Sequence, residues 1–305
     1  MILVFLLYAL FASVFIVAKI GLEYTQPLFF VGSRMLFAGI LMLGYQFLFA
    51  RSNFYFRKKD IALVIGLGVF NIYLTNAFEF WGLKYLTSFK TCFIYSLSPF
   101  VSALLSYFMF SEKMNIKKWA GLLIGFLGFV PILMAQTAAE KEHEAFSFIS
   151  WAELSVMAAA VCGVFGWILL RKLVSERGYS PFMANGVSML IGGSVALFHS
   201  SLVETWDPLP VTNGPIFVEC ALLLIAISNL ICYNLYGYLL KKYTATFMSF
   251  AGFVTPLFAA IFGWLYLGEV VTQPFYISAV MVFIGLFTFH QEELKKSFQL
   301  NRSNN

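Results

Sequence analysis

Charged residues are scarce in this chain of 305 residues, since Asp, Glu, Lys and Arg together make up 11% of it. A soluble domain of ordinary composition is about 25% charged and about 45–50% apolar, whereas this chain is 60% hydrophobic. So few polar side chains are unable to cover a soluble surface, which excludes an ordinary soluble, disordered or collagen-like protein. The net charge of +5 is therefore interpreted as a membrane-orientation signal and not as a nucleic-acid-binding signal.

Residues that carry redox, metal or nucleotide chemistry are also few. The four cysteines form no Cys-x-x-Cys pair, lie within apolar runs and are interpreted as packing residues. The three histidines lie at or beyond the ends of these runs, and no spacing predicts a metal site. The sequence contains no Gly-rich phosphate-binding loop, which argues against an ATP-driven pump. We therefore expect no enzyme activity, no metal and no cofactor.

Long apolar runs occupy nearly the whole chain. A helix needs about 20 apolar residues to cross a bilayer. Ten runs of this kind lie at 2–22, 28–50, 61–82, 89–110, 117–135, 148–170, 181–199, 215–240, 245–266 and 273–290. They are continuously apolar, which predicts helices and not the alternating strands of a membrane barrel. No basic segment precedes the first run, so we expect a retained helix and not a cleaved signal peptide. The prediction is a single all-α polytopic membrane domain over residues 1–305.

The basic residues alternate between loops, which predicts an orientation. With a cytoplasmic amino terminus, the inner loops and the tail hold fifteen of the twenty Lys and Arg residues. The outer loops then hold two basic residues, Lys84 and Lys141, and seven of the fifteen acidic ones: Glu23, Glu140, Glu142, Glu144, Glu204, Asp207 and Glu269. Because Lys and Arg concentrate on the cytoplasmic side of membrane proteins, both termini are predicted to be cytoplasmic.

An ordered series of matches indicates two diverged copies within the chain. At offsets of 154 to 158 residues the following pairs recur: Pro27 and Pro181, Gly39 and Gly193, Asn71 and Asn229, Asn76 and Asn234, Lys84 and Lys242, Pro99 and Pro256, Glu112 and Glu269, Gly128 and Gly285. The predicted copies are residues 1–136 and 148–290, followed by a cytoplasmic tail at 291–305. Since each copy holds five spans, the second is inverted in the membrane relative to the first. Inverted repeats are common in carriers that alternate access to a site near the midplane.

The sequence resembles the ten-helix, EamA-type branch of the drug/metabolite transporter superfamily. The resemblance covers nearly the whole chain and rests on the following residues: Ala18, Lys19, Gly21, Pro27, Arg34, Ser98, Pro99, Ser111, Glu112, Gly121, Gly125 and Gly128 in the first copy, and Thr255, Pro256, Gly268, Glu269 and Gly285 in the second. Glu79 and Lys90 are charges that the family pattern does not call for. Ser278 and Val282 also depart from it, because they occupy the positions equivalent to Gly121 and Gly125.

This resemblance implies a small-solute carrier, a multi-pass protein of the bacterial inner membrane with a central cavity lined by both halves. Members of the superfamily carry amino acids, nucleotide sugars, drugs and other metabolites. Some members from intracellular bacteria carry S-adenosylmethionine. The resemblance also implies a diagnostic repeated position at Glu112 and Glu269, for which we expect a structural role.

Charges inside the apolar runs are the first candidates for a site, because a buried charge usually faces a polar cavity or a partner. Glu79 and Lys90 are predicted to bind substrate, and Arg34 either binds substrate or takes part in an internal ion pair. Lys19, Glu153 and Glu219 lie near span ends, where snorkelling to the interface or pairing across helices is the expected role.

Polar, aromatic and proline residues complete the candidate site. Asn76 and Asn234 are predicted to line a cavity, with helix–helix hydrogen bonding as the alternative. Tyr95 and Ser98 are further substrate-binding candidates. Seven rings could stack on a base or contact a cation, and the sequence does not distinguish between them: Tyr73, Trp81, Tyr95, Trp167, Tyr233, Tyr236 and Trp264.

Pro99 and Pro256 are predicted midway along helices 4 and 9, where each acts as a hinge or as a static bend. Gly128 and Gly285 are assigned to the structural motif of the family. The spacing of Gly121 and Gly125 predicts close helix packing.

These observations predict a secondary carrier that works by alternating access, driven by a gradient or by exchange. The mixed charges favour a small polar or zwitterionic substrate, with S-adenosylmethionine as the leading candidate and amino acids and nucleotide derivatives beside it. A drug or lipid exporter of the same fold and a non-transporting receptor or assembly subunit remain open. The expected partners are a small molecule and the lipid bilayer, without nucleic acid, and the expected state is a monomer or a homodimer.

Overall fold

The computed structural model describes residues 2–51, 54–110, 115–135, 144–146, 149–240, 243, 248 and 251–303. Eight helices within these residues are long and apolar enough to cross a membrane, and two shorter apolar helices follow them. The predicted all-α membrane class is therefore confirmed at this level. The candidate residue Glu112 and most of the acidic segment 140–144 lie outside the described residues.

In chain order the helices are α1 (Ile2–Leu22), α2 (Pro27–Phe49), α3 (Lys58–Tyr85), α4 (Ser88–Tyr95 and Ser98–Phe110), α5 (Ile116–Met134), α6 (Trp151–Glu176), α7 (Pro181–Val203), α8 (Gly214–Leu239), α9 (Gly252–Leu267) and α10 (Gln273–Ser303). They agree with the predicted runs at most ends. One difference is that α10 continues through much of the predicted tail, where glutamate, leucine and lysine favour helix. A short hairpin of β1 (Glu144–Phe146) and β2 (Ile149–Ser150) precedes α6 and was not predicted.

Local sequence signals set several helix ends. Pro27 and Pro181 occupy the first turns of α2 and α7, where a missing backbone N–H leaves no hydrogen bond unmade. Ser150 and Glu153 form a reciprocal capping box at the start of α6. Gly268 ends α9 with a φ of 64°, a left-handed conformation that glycine adopts without steric cost.

Glycines allow a close helix–helix approach between α5 and α10. A Cβ atom added to Gly285 would lie 2.5 Å from the backbone nitrogen of Gly125, and one added to Gly121 would lie 2.6 Å from the carbonyl oxygen of Gly285. A Cβ on Gly128 would lie 2.9 Å from the backbone nitrogen of Val282. The predicted glycine spacing thus brings backbone against backbone, as small residues do between membrane helices.

Irregular backbone occurs at positions 157 to 158 residues apart, the offset at which residues in this part of the sequence match. A π-helical segment occupies Gly68–Leu74 within α3, and another occupies Ile225–Cys232 within α8. In α4 the helix is interrupted between Tyr95 and Ser98, and α9 begins with a 3₁₀ turn at Gly252–Val254.

Both prolines predicted as mid-helix kinks lie instead in the first turn of the segment that follows an irregular stretch. The Ser98 hydroxyl donates to the carbonyl of Tyr95 at 2.7 Å, and the Thr255 hydroxyl donates to that of Gly252 at 2.7 Å. These are the carbonyls, four residues before Pro99 and Pro256, that a proline leaves without an N–H partner. The neighbouring hydroxyl therefore supplies the hydrogen bond that each proline removes.

Candidate functional site

The helices enclose a cavity of about 780 Å³. Its wall is formed by residues of α1, α2, α3, α4, α6, α8 and α9. The wall reaches the exposed residues Arg171, Lys172 and Glu176 near the carboxyl end of α6, which form the mouth. Along α3 and α4 the wall extends in the other direction to the buried residues Phe80 and Cys92. The cavity is therefore closed toward the loop between α3 and α4 and open toward the end of α6.

Glu79 of α3 places a carboxylate on the cavity wall. Among the described residues no hydrogen bond or ion pair reaches this carboxylate within bonding distance. Arg34, Cys92, Tyr95 and Tyr233 are nearby groups that lie within electrostatic range of it. An intramembrane carboxylate in this environment is stabilised by facing a polar cavity, which agrees with the predicted position of Glu79 at a binding site.

Arg34 of α2 supplies a positive charge on the same wall, although its side chain is only 1% exposed. Its Nη1 donates to Oδ1 of Asn229 at 3.2 Å and its Nη2 donates to Oδ1 of Asn76 at 2.6 Å. The guanidinium lies 4.7 Å from the ring centroid of Phe80, within the range of a cation–π contact. Within the described part of the chain its partners are neutral amides, so the internal ion pair considered for Arg34 is not formed.

Asn76 joins the guanidinium to the π-helical segment of α3. Its Nδ2 donates to the carbonyls of Asn71 at 3.2 Å and Ile72 at 2.9 Å, and to the hydroxyl of Tyr233 at 3.3 Å. One amide thus satisfies irregular backbone, positions Arg34 and contacts α8. Asn76 lines the cavity, as predicted, and also forms the helix–helix hydrogen bonds that were the alternative.

Asn234 makes the corresponding bonds in α8 but lies away from the cavity wall. Its Nδ2 donates to the carbonyls of Asn229 at 3.2 Å and Leu230 at 2.9 Å. Its Oδ1 accepts from Asn185 of α7 at 3.2 Å. The structure therefore gives Asn234 the helix–helix contacts of the alternative role, because its amide turns toward α7 and not toward the cavity.

Lys90 is also placed away from the cavity wall. Its Nζ lies 2.8 Å from Oε1 of Glu153, and the two side chains are 4% and 0% exposed. It also donates to the carbonyl of Ala135 at 3.3 Å. Lys90 was predicted to bind substrate, whereas the structure joins it to Glu153 across α4 and α6. The pairing expected for Glu153 explains the difference, since a buried charge without a partner is strongly destabilising.

Aromatic rings form much of the wall between Glu79 and the mouth. The ring centroids of Trp167 and Tyr236 are 4.2 Å apart at 34°, and those of Trp167 and Tyr233 are 5.4 Å apart. Tyr95 lies on the same wall. Of the seven candidate rings, Tyr95, Trp167, Tyr233 and Tyr236 line the cavity, and Tyr73, Trp81 and Trp264 do not. The cavity wall also includes Ser98 and Pro99, two of the predicted site residues.

Other charged candidates cap helices. Lys19 donates to the carbonyls of Leu83 and Leu86, each at 2.7 Å, at the carboxyl end of α3. The Glu269 carboxylate accepts from the backbone N–H of Ser88 at 2.7 Å, at the start of α4. A cation at a helix carboxyl end and a carboxylate at an amino end both complement the helix dipole, in agreement with the structural role predicted for Glu269.

Two groups of residues were overlooked by sequence reasoning. Arg171 and Lys172 were counted as orientation signals, yet they line the mouth of the cavity. Glu204 was read as an outer-loop charge, yet it accepts from the backbone N–H groups of Leu28 at 2.7 Å and Phe29 at 2.9 Å. Pro27 was a usable signal, because a helix that begins with proline still has free N–H groups in its first turn.

Comparisons with known proteins agree with this architecture. Residues 1–134 and 150–289 match the EamA-like transporter family. A protein named S-adenosylmethionine/S-adenosylhomocysteine transporter from Chlamydia muridarum is 36% identical over 300 residues, which cover 98% of this chain and 94% of that protein. A protein of the same name from Chlamydia trachomatis serovar D is 36% identical over 299 residues, with 98% and 91% covered.

More distant relatives point the same way. An uncharacterized inner membrane transporter of Escherichia coli K12, YedA, is 25% identical over 301 residues, which cover 93% of this chain and 90% of that protein. One protein crystal structure superposes with a TM-score of 0.63 at 17% identity, covering 94% of this chain and 93% of the other, which shows the fold alone. The predicted resemblance is thus confirmed: the chain belongs to the EamA-like transporter family and is a multi-pass transporter of the bacterial inner membrane, not an enzyme.

Proposed function

We propose that this protein is a secondary carrier that exchanges S-adenosylmethionine for S-adenosylhomocysteine by alternating access. The observation that carries the proposal is the cavity itself, which combines a carboxylate, a guanidinium and aromatic rings on one wall. Its volume of about 780 Å³ lies within the range of small-molecule sites, about 300–1,000 Å³. The near-full-length chlamydial relatives with that printed name support the choice of substrate.

The chemistry of these two molecules matches the cavity wall. Both contain an adenine ring, which stacks favourably on rings such as Trp167 and Tyr236. S-adenosylmethionine adds a sulfonium cation, which aromatic faces attract. Both also end in an α-amino acid, for which Glu79 and Arg34 supply charges of the complementary signs. An apolar drug or lipid would leave these two intramembrane charges without a partner.

Many carriers that work by alternating access are built from two related halves, and we infer ten spans in two inverted five-helix repeats. Three observations support this inference. The family matches in two segments, the irregular segments of α3 and α8 correspond at the repeat offset, and the hydroxyl–proline geometry occurs in both α4 and α9. The interrupted backbone beside Pro99 and Pro256 then provides the hinges.

The same inference assigns a state to the cavity. With both termini cytoplasmic, as the charge distribution indicates, the end of α6 lies on the inner side. The mouth at Arg171, Lys172 and Glu176 then faces the cytoplasm. The closed end, which Lys19 and Glu269 hold together by capping α3 and α4, faces outward. We therefore infer that this conformation is that of an inward-open carrier.

Counterflow into liposomes tests the proposal. Purified protein is reconstituted into liposomes loaded with unlabelled S-adenosylhomocysteine, and labelled S-adenosylmethionine is added outside. We expect uptake that depends on the internal substrate and that disappears in empty liposomes. A parallel panel of amino acids, nucleotides and a nucleotide sugar measures selectivity.

The alternatives give different results in the same assay. If only another member of the panel is exchanged, the substrate assignment is wrong but the protein is still a carrier. Transport of an apolar dye or lipid that is unchanged by Glu79→Gln would indicate an exporter. Folded protein that moves none of these compounds would contradict a transport function.

A further inference from the structure

Glu79 and Arg34 carry opposite charges on one cavity wall without direct contact. Charges of opposite sign in a medium of low dielectric constant attract strongly, so an unpaired arrangement needs something that holds them apart. The guanidinium is fixed by Asn229, Asn76 and the ring of Phe80. Because these three contacts come from α8 and α3, Arg34 is unable to swing toward the carboxylate without losing them.

Both groups keep hydrogen-bonding capacity that the described residues do not use. Nε of Arg34 is buried and has no hydrogen-bond partner. The two hydrogen bonds that Arg34 does donate engage only one N–H of each terminal nitrogen. No described residue bonds the Glu79 carboxylate. An unsatisfied buried donor is costly, so an anion beside Arg34 and a cation beside Glu79 would complete this wall.

We propose that Arg34 binds the α-carboxylate and Glu79 the α-ammonium group of the substrate. This inference rests on the proposed function and specifies which part of the substrate the carrier recognises. S-adenosylmethionine and S-adenosylhomocysteine share the α-amino acid end and differ in the charge on sulfur. Recognition by the shared end lets one site bind both exchange partners.

The competing arrangement pairs Glu79 with the sulfonium, and the geometry disfavours it. A lone cation near Glu79 is also near Arg34, whose positive charge opposes the attraction. A zwitterion satisfies both charges at once, with a planar guanidinium that matches a carboxylate. The aromatic rings of Trp167, Tyr233 and Tyr236 remain for the adenine and the sulfur.

S-adenosylhomocysteine decides between the two arrangements, because it lacks the sulfonium. Dissociation constants are measured by titration calorimetry for the purified wild type, Glu79→Gln and Glu219→Gln. Glu219 is an exposed carboxylate outside the cavity and controls for the loss of one charge. We expect Glu79→Gln to weaken the binding of S-adenosylhomocysteine by about 10- to 100-fold, as for the loss of a hydrogen bond to a charged group. Unchanged affinity for this ligand, with weaker S-adenosylmethionine, would overturn the inference in favour of sulfonium pairing.

Modified ligands test the same site on the wild-type protein, so the result does not depend on how the variant folds. N-acetylated S-adenosylhomocysteine lacks the ammonium group, and the methyl ester of unmodified S-adenosylhomocysteine lacks the carboxylate. Each derivative is expected to bind at least about tenfold more weakly than the parent. The affinity for 5′-methylthioadenosine, which lacks both groups, is expected to be unchanged by Glu79→Gln. Equal affinity of the parent and both derivatives would refute the amino-acid site. Wild-type protein that binds neither parent compound would instead refute the proposed function.

Discussion

Replacing Lys90 by methionine is expected to destabilise the protein strongly without altering its binding site. The Lys90 ammonium lies 2.8 Å from the Glu153 carboxylate, and both side chains are almost fully buried. Water and salt therefore screen the pair little, and its removal leaves Glu153 charged and without its cation. Breaking a buried pair by removing one partner costs about 3–5 kcal/mol. Lys84→Met is the matched control, because Lys84 is exposed and, among the described residues, its side chain hydrogen-bonds only the Gln26 side-chain oxygen, at 3.5 Å.

The double variant Lys90→Met with Glu153→Gln separates the ion pair from the packing around it. Glutamine keeps an oxygen that accepts from the Ser150 N–H, so the cap of α6 survives. With no charge left unpaired, we expect the double variant to recover much of the stability that Lys90→Met loses. Replacing both members of a buried pair is often neutral, and residues in contact couple by about 0.5–3 kcal/mol.

Thermal unfolding in detergent, followed by tryptophan fluorescence, ranks the four proteins, and ligand binding is measured on the folded fraction. We expect a low unfolding temperature for Lys90→Met, a partial recovery in the double variant, and wild-type substrate affinity in both. Two results would refute this reasoning. One is a double variant that is as unstable as Lys90→Met. The other is a stable Lys90→Met protein with weakened substrate binding, which would indicate that Lys90 binds substrate.

Further substitutions test packing, capping and stacking. Gly285→Ala places a methyl group 2.5 Å from the backbone of the facing helix and should abolish stable folding. Gly44→Ala, with nothing within 4 Å of the added methyl group, should be neutral or stabilise the protein by up to about 1 kcal/mol. Fluorescence size-exclusion chromatography compares the two variants, and equal profiles would refute the close contact at Gly285. Glu269→Ala removes the acceptor for the Ser88 N–H and should destabilise by about 1 kcal/mol in thermal unfolding, so an unchanged midpoint would count against the cap. Trp167→Ala should weaken the binding of an adenine-containing substrate by about tenfold in calorimetry, in line with about 0.5–1.5 kcal/mol for an aromatic pair plus lost burial. Unchanged affinity would show that the adenine does not stack on Trp167.

The helical architecture was predictable because it depends on local composition. Continuous apolar runs identify membrane helices, and first-turn prolines such as Pro27 and Pro181 mark where two of them begin. The site was predictable only in part. Glu79 was found because an intramembrane charge is costly. The same rule selected Lys90, whose partner Glu153 lies 63 residues further along the chain and is brought close only by the packing of α4 on α6.

The repeated residues were a guide to the helices of the cavity wall, whereas the charges Glu79 and Arg34 identified side chains on the wall itself. Two sequence features recur at the repeat offset, an asparagine pair spaced by five residues and a hydroxyl residue followed by proline. In the structure both features satisfy irregular backbone: the amides of Asn76 and Asn234 bond π-helical carbonyls, and the hydroxyls of Ser98 and Thr255 bond carbonyls that a proline leaves free.

Irregular backbone at membrane depth is tolerated only where it is buried in protein or lines a polar cavity. The four helices that contain these features, α3, α4, α8 and α9, all contribute to the cavity wall. Residues that satisfy irregular backbone at both repeated positions therefore mark helices of the cavity wall, whereas a single charge such as Lys90 marks only a contact between two packed helices.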